Sequence, residues 1–413
     1  MLPNDPKSQF AALRGKRAAV LLYSTYPGDP RPKRAVNAMV EAGMQVDLFC
    51  LGKEDNNCAQ SSHPGLSIYR IPMEHERGNK LGYLWQYTQF IFAAFWFLAR
   101  KSLHKRYDVV HVHNMPDFLV FSALLPKLQG ARIVLDMHDP MPELMMSIYG
   151  LGPDHTIVRI LRLLERCSLW FADVVLTPNL TFKEVFVSRG CPPGKIQIIM
   201  NSPEASIFNP EQMPELGKGT KDSYRLIHHG SIFHRHGIDL LVEAIARVRG
   251  KIPGIRLDLY GDATPFLDKV METAHKFSVA DIVQFHGGQT QAVLAQAIHH
   301  SHLGIIPNRR SSFTELNFPT RIFEYLAMNR ALIAPATRGI KDYFKPDELL
   351  MFEPGNVEDL AAKILWAYEN PEAVARYMER GRRVYFKNLW TDEKRRMLES
   401  ISGLTPNLGT DIH

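Results

Sequence analysis

The sequence predicts an α/β protein made of two doubly wound, Rossmann-like halves, and three observations predict it. Continuous β-branched runs alternate with amphipathic helical segments, the pattern of parallel sheets covered on both faces. That pattern breaks after Met200 and restarts at Tyr224. The chain has 413 residues, 45% of them hydrophobic and 22% charged, enough for two cores and incompatible with a disordered chain.

In the first half, Ala18–Tyr23 (AAVLLY) reads as a buried strand. A helix follows around Ala35, Val36, Met39 and Val40, then a second strand over Val46–Leu51. Further strands are predicted at Asp108–Val112, Arg132–Asp136, Asp173–Thr177 and Ile196–Met200. Asn201-Ser202-Pro203, Asn209-Pro210 and the Gly-, Pro- and charge-rich stretch from Met213 to Asp222 read as a linker. The second half brings strands at Tyr224–His229, Ile255–Tyr260, Ile282–Phe285, Leu303–Ile306, Ala331–Ala334 and Leu349–Phe352. Helical sequence then runs from about Val357 to Ser400. The expected domains are 1–204, 205–385, and a C-terminal helix in 386–413 crossing back to the first domain. In such folds ligands bind beyond the carboxyl ends of the strands, and a cleft between two halves is the expected site.

Lys+Arg 49 against Asp+Glu 43 gives a net charge of +6, which favours an anionic partner without choosing one. Cys50, Cys58, Cys167 and Cys191 show no CxxC pair, so neither a zinc site nor a disulfide framework is expected. A cytoplasmic setting fits, and the polar N-terminus has no secretory apolar core. Phe90–Ala99 (FIFAAFWFLA) is apolar throughout, and Arg100, Lys101, His104, Lys105 and Arg106 follow it. That run is short of the roughly 20 apolar residues of a spanning helix. The segment from Tyr83 to Arg106 has two readings: an aromatic helix lying on an anionic membrane surface, or a helix buried on the sheet with basic residues at its C-terminus.

The window Asn317–Met328 (NFPTRIFEYLAM) is the most informative. Pro319 suits a first helical turn. At about 100° per residue, Ile322, Leu326 and Phe323 form one apolar face. Glu324, Tyr325 and Met328 fall beside Arg321, away from that face. A helix start carrying an arginine and a glutamate can hold an anionic and a hydroxyl-bearing group together. The plain alternative is a surface i,i+3 ion pair. His138 and Asp139 stand at the carboxyl end of the strand RIVLD, where doubly wound sheets collect function. Glu143 either binds hydroxyls or caps a loop. His111 and His113 are read as facing opposite sides of their strand, which argues against a shared metal. The loop Ser24–Arg31 has one glycine, Gly28, and lacks G-x-G-x-x-G, so dinucleotide binding there is not expected.

Several segments, in order, resemble glycosyltransferase family 4, the retaining nucleotide-sugar transferases with the GT-B fold. FPTRIFEYLAMNRALIAP is similar to the family's P-x-K/R-x-x-E-Y-(L/M)-A segment. STYPGDPRPKRAVNAMVEAGMQVDLFCL is similar to its first loop, helix and second strand. YDVVHVHN and VLDMHDPMPEL resemble its histidine-bearing strand ends, and IQIIMNSPEASIFNP its hinge. HHGSIFHRHGIDLLVEAI and LDLYGD resemble the first elements of its nucleotide domain.

The resemblance implies a donor site in the second domain and an acceptor on the first. Glu324 would accept hydrogen bonds from the nucleotide ribose. Pro319, Thr320 and Arg321 would face the diphosphate. The family's G-R-x-x-x-x-K-G loop here begins at Gly230 with Ser231 in the arginine position and His236 in the lysine position, so Arg235 or Arg321 is expected to carry the charge. The family's first motif glutamate falls on Leu316, flanked by Glu315 and Asn317, either of which would restore a polar contact to the donor sugar. His138 would lie near the transferred sugar, with Asp139 and Glu143 toward the acceptor. Gly28 and Arg31 belong to the loop that closes over donor and acceptor. The donor is expected to be a UDP- or GDP-sugar, without an essential metal, because no Asp-x-Asp occurs. The implied acceptor is a glycan or polyprenyl-linked acceptor of surface polysaccharide assembly, with peripheral membrane contact and no nucleic acid. Two rivals remain open: a catalytically silent module of the same fold that binds a partner or membrane, and a nucleotide-sugar epimerase on that fold.

Overall fold

The computed structural model describes residues 10–52, 59–60, 63–73, 80–213 and 223–403, with the side chains of 59–60 and 80–84 outside the description. Cys58, the Tyr83 side chain and linker residues 214–222 therefore lie outside the described residues. The chain divides into two compact units, residues 1–200 with 391–413, and residues 201–390. Each is a parallel-sheet α/β unit.

The first unit is built on β1 (Arg17–Thr25), β2 (Gln45–Gly52), β3 (Ala59–Gln60), β4 (Leu66–Pro72), β5 (Val109–His113), β6 (Arg132–Asp136), β7 (Val174–Thr177) and β8 (Ile196–Ile198). Their order is β3-β4-β2-β1-β5-β6-β7-β8. All pairs are parallel except the short β3–β4 contact. β1 is central, and Ala18–Leu22 are fully or almost fully buried, as expected for a β-branched and aliphatic run covered on both faces. The alternating strand β4 is not among the strands expected from the sequence; its LSIYRI run is short and interrupted by Ser67 and Arg70, and pairing with β2 is what holds it.

The helices of this unit are α1 (Pro30–Glu41), α2 (Lys80–His104), α3 (Leu124–Leu128), α4 (Met141–Tyr149), α5 (Thr156–Phe171) and α6 (Leu180–Ser188). Their starts are written locally. The Asp29 carboxylate accepts the Arg31 N–H at 3.0 Å, and Asn179 accepts the Phe182 N–H at 2.7 Å. α2 presents Phe90, Ala94 and Leu98 inward, all fully buried.

The second unit carries β9 (Tyr224–His229), β10 (Ile255–Tyr260), β11 (Val283–Phe285), β12 (Leu303–Ile305), β13 (Leu332–Pro335) and β14 (Leu350–Phe352), in the order β11-β10-β9-β12-β13-β14 and wholly parallel. Its helices are α7 (Ile238–Val248), α8 (Pro265–Lys276), α9 (Gln291–His300), α10 (Arg321–Ala327), α11 (Arg338–Lys341), α12 (Val357–Glu369) and α13 (Pro371–Phe386). One core joins strand residues Leu226, Leu257 and Ile305 to Leu241, Ile245 and Ile364 of the covering helices. β9 and β12 are neighbours although α7–α9 separate them in sequence. The order of strands therefore reverses at β9, the switch point where this class of sheet opens a crevice.

The last helix, α14 (Trp390–Ser402), packs Met397, Leu398 and Ile401 into buried positions, and residues from 391 onward belong to the first unit. Its Glu393 is fully buried and accepts the Met200 N–H at 2.8 Å. Burial pushes the Glu393 carboxyl up to about 7, against the pull of Arg396 and of the Met200 N–H. Glu393→Ala leaves that backbone donor buried without its acceptor, so a loss of about 1–3 kcal/mol is expected. Urea unfolding would measure it, and an unchanged midpoint would remove this contact from the account of how α14 is held.

Candidate donor site and the histidine cluster

In the second unit the switch point gathers Arg321, His228, His229, Gly230 and Glu324. The Arg321 guanidinium donates to the His229 carbonyl at 2.6 Å, and its Nη1 lies 3.2 Å from His228 Nε2. The His228 ring is itself buried, with Nδ1 2.9 Å from the Ile305 carbonyl. A carbonyl only accepts, so Nδ1 carries the proton, leaving Nε2 as the acceptor for Arg321. Burial, reinforced by the Arg321 charge, pushes the His228 imidazole down to about 3. His229 is driven well below its ordinary range by burial first, then by Arg321 and His228. Its Nε2 lies 3.4 Å from a Glu324 oxygen.

Gly230 ends β9 at φ +115°, a backbone conformation that side chains rarely adopt, and a Cβ there would stand 3.0 Å from the Arg321 guanidinium. Its N–H donates to the Tyr260 carbonyl at 2.9 Å, and the next strand end repeats the move, with Gly261 donating to Gly287 at 2.9 Å. Three neighbouring strand ends thus turn away through glycines.

The face expected for α10 needs correction. Tyr325 and Met328 are fully buried rather than free beside Arg321. The short helix is covered by α13 and β13, and the Tyr325 ring fills the space beside Gly304, where a Cβ would come within 2.7 Å of it. Its hydroxyl donates to the Ile227 carbonyl at 3.2 Å. Helical order begins at Arg321, although the Pro319 carbonyl already accepts the Ile322 N–H at 3.0 Å. Thr320 Oγ1 accepts from the Asn201 amide at 3.0 Å.

His236 is buried and hydrogen-bonded through Nδ1 to the Ser231 carbonyl. Burial, then Arg321 and Arg235, push it well below its ordinary range, so it is neutral and closes the loop instead of presenting a cation. The half-buried Arg235 lies over the Phe233 ring, 4.8 Å from its centroid. The Glu315 carboxylate is engaged within the protein, accepting the Arg338 N–H at 3.1 Å and pairing with Arg310. The half-buried Asn317 donates its backbone N–H to Phe313 at 3.0 Å.

In the first unit the hub is Asp136, at the end of β6, a residue the sequence motifs do not single out from its neighbours. Arg31 grips it through Nη2 at 2.6 Å and Nε at 3.1 Å, and also donates to the Ile199 carbonyl at 2.9 Å. The Arg31 side chain is 8% exposed, so its expected contact with donor or acceptor is corrected: the guanidinium is spent inside the fold. Burial alone would raise the Asp136 carboxyl, but Arg31 and the surrounding histidines reverse this and hold it well below the carboxylate range. Gly28, just upstream, donates its N–H to Thr25 at 3.3 Å in a turn that leads into α1.

His111 and His113 are also corrected. Side chains alternate along a strand with period two, so i and i+2 share a face. Their rings stack at 4.4 Å, and each has a nitrogen 3.4–3.6 Å from Asp136. His111, His113 and Asp136 each offer a donor atom within 4.8 Å of the others, a spacing a metal ion could use, but Arg31 already supplies the positive charge on that carboxylate. His113 Nδ1 lies 2.9 Å from Nε2 of His138, the more exposed member of the group. Burial, then the neighbouring His111, pushes His113 down to about 3. Asn114 orients the turn by accepting the His138 N–H at 2.7 Å and donating to the Asp139 carbonyl at 2.9 Å.

Glu143 does not offer its carboxylate to solvent, which corrects the acceptor-side reading. It is buried and pairs with Arg189, which also holds Glu165 at 2.8 Å. The long-range partner Arg189 gave no local sign of this.

Residues 30–202 match the glycosyl transferase 4-like domain, and residues 209–384 match glycosyl transferases group 1. The chain belongs to the family 4 type of glycosyltransferase. It is similar to a subunit of the phosphatidylinositol N-acetylglucosaminyltransferase of Arabidopsis thaliana, at 25% identity over 260 residues, 62% of this chain and 54% of that protein. It therefore spans about half the length of that relative. Among solved structures, sucrose-phosphate synthase from Thermosynechococcus elongatus matches with a TM-score of 0.73 at 18% identity, over 92% of this chain and 97% of that one. Anabaena HepE in complex with UDP-glucose matches with a TM-score of 0.70 at 15% identity, over 94% and 100%. Both likenesses establish the GT-B fold.

Two consequences are measurable in this glycosyltransferase. Asp136→Asn leaves Arg31 buried without its counter-charge and should cost about 3–5 kcal/mol, whereas Arg31→Met/Asp136→Leu should recover most of that loss. Denaturant melts of the three proteins test this, and a single variant as stable as wild type would show the pair to be dispensable. His228 stays neutral in the folded chain down to about pH 3, while in the unfolded chain it binds a proton below about 6.5. It therefore subtracts stability as pH falls through that window. His228→Gln should lose less Tm than wild type between pH 6.5 and 4.5, and parallel curves would contradict the assignment.

Proposed function

We propose that the chain is a retaining glycosyltransferase that moves a sugar from a nucleoside diphosphate sugar, a UDP- or GDP-sugar, to a glycan or lipid-linked acceptor. The observation that carries this is Arg321, a half-buried guanidinium hydrogen-bonded to neutral groups at the β9 switch point, with Glu324 one turn beyond. A cation hydrogen-bonded to a carbonyl and a neutral imidazole keeps charge available to an anionic ligand, with Glu324 the carboxylate nearby. UDP-glucose in the complex of the structurally similar HepE supports a UDP-sugar donor.

In the reaction the bond between the sugar anomeric carbon and the diphosphate oxygen breaks, and the acceptor oxygen bonds to that carbon on the same face. The acceptor proton passes to the leaving phosphate oxygen. Negative charge grows on the diphosphate as the sugar becomes oxocarbenium-like. Arg321, with Arg235 and the backbone of Pro319–Thr320, stabilises that charge. Glu324 accepts from the ribose hydroxyls. Glu315 and Asn317 border the donor sugar, Glu315 acting through the turn it fastens. His138, held by His113 and Asn114, faces the acceptor side with Asp139. We assign the work to surface polysaccharide assembly on the cytoplasmic side, with Tyr83–Arg106 against the membrane.

One observation favours a second reading, a silent module of the same fold: His236 brings no charge where the family's lysine stands. Thermal shift with UDP and GDP separates the two. Wild type should be stabilised by one nucleotide, Glu324→Ala should lose that shift, and Arg321→Ala should lower transfer or donor hydrolysis by about 10²–10³-fold. A wild type that responds to no nucleotide would sink the enzyme reading.

A further inference from the structure

Thirteen of the fifteen large apolar side chains that stand exposed among the described residues lie between Trp85 and Trp170. They sit on helices that touch one another. α2 and α5 both pack against the segment Asp117–Ala123, α3 continues from that segment onto α2, and α4 packs on α5.

α2 is apolar on two sides. Its inner side is buried, and its outer side carries Trp85, Phe92, Trp96 and Leu103, which fall within about 40° of arc at 100° per residue. Phe92 is 70% and Leu103 71% exposed. Trp85 and Phe92 also line a groove of about 670 Å³ against Ile71 and Pro72 of β4. On α3, Leu128 is 76% exposed. On α5, the exposed Ile157, Ile160, Leu163 and Trp170 cover about 140° of arc, while Arg159, Arg162 and Arg166 cluster along one edge of it. Trp170 is 81% exposed.

The exposed charges on α2, α3 and α5 themselves are basic; the acids near them are Asp154 in the α4–α5 connection and Asp173, which pairs with Lys127 of α3. α2 and α3 contain no acidic residue, and the only acids of α4 and α5, Glu143 and Glu165, are buried on Arg189. The basic residues Arg100, Lys105, Arg106, Arg159 and Arg166 are exposed. Among the described residues no helix is long and apolar enough to cross a membrane. Aromatic and aliphatic side chains bordered by arginine and lysine are the chemistry of helices that lie in a lipid headgroup layer.

We propose that the outer faces of α2, α3 and α5 form one docking surface for an anionic phospholipid bilayer. The proposal rests on the reading of a lipid-linked acceptor, and extends the contact beyond Tyr83–Arg106 to helices whose exposure the sequence does not reveal. A second copy of the chain is the weaker occupant, because a two-fold contact would set the arginine-rich edges of α5 against each other, and the one acid of that helix, Glu165, is buried on Arg189.

Flotation of the full chain with vesicles of phosphatidylcholine, alone or mixed with phosphatidylglycerol, tests the surface. Wild type should float with the mixed vesicles only, and less as salt rises. Leu163→Ser/Trp170→Ser on α5 and Phe92→Ser/Trp96→Ser on α2 should each weaken partitioning at least about tenfold. Arg159→Glu/Arg166→Glu should weaken it by a similar factor. No flotation with anionic vesicles at low salt would overturn the proposal, as would α5 variants that float like wild type. A wild-type dimer that these variants dissociate, with vesicle binding unchanged, would give the surface to a second copy instead. The variants should keep the wild-type nucleotide thermal shift, which reports folding and donor binding separately from the membrane. Wild type that floats but shows no nucleotide shift would defeat the transferase reading and leave the bilayer surface standing.

Discussion

The half-buried guanidinium of Arg321 organises most of what surrounds it. A cation partly removed from water needs acceptors at hydrogen-bond distance, and here they are the His229 carbonyl and the His228 ring. His228 can accept only if its proton sits on the other nitrogen, which the Ile305 carbonyl ensures. Residue 230 turns at φ +115° and lacks the Cβ that would crowd the guanidinium at 3.0 Å. The buried Tyr325 fixes the helix that carries Arg321 by reaching the Ile227 carbonyl. A strand end, a tautomer, a glycine and a helix position thus meet at one half-buried charge.

The first unit answers the same problem differently. Arg31 meets a full carboxylate, Asp136, in a two-pronged pair, so its charge is neutralised within the fold. What emerges toward solvent is His138, held by His113 and by the Asn114 turn. One unit therefore ends its strands in an available cation and the other in oriented imidazoles.

The exposed faces of α2, α3 and α5 show a third use of the same elements. Their inner sides complete the first core while their outer sides remain apolar; α2 and α3 carry no acid, and the one acid of α5, Glu165, is sequestered on Arg189. A helix apolar all round is usually buried on every side; α2 is covered on one side only.

Sequence alone determined the two parallel-sheet units, because β-branched runs and helical periodicity are local signals with a large burial energy behind them. Arg132–Asp136, Tyr224–His229 and Ile255–Tyr260 could be bounded to the residue for that reason. The ordered motifs also marked Gly230, Arg321 and Glu324, since a glycine just after a strand and a charged pair at a helix start are local patterns. Only the tertiary structure decided which charges remain available. Arg31 and Glu143 look free in the sequence but are spent on Asp136 and Arg189, partners 105 and 46 residues away. Tyr325 and Met328 look exposed on a helical wheel, yet α13 and β13 close over them. A wheel or a motif describes one segment, whereas burial and ion pairing belong to whatever the fold brings against it.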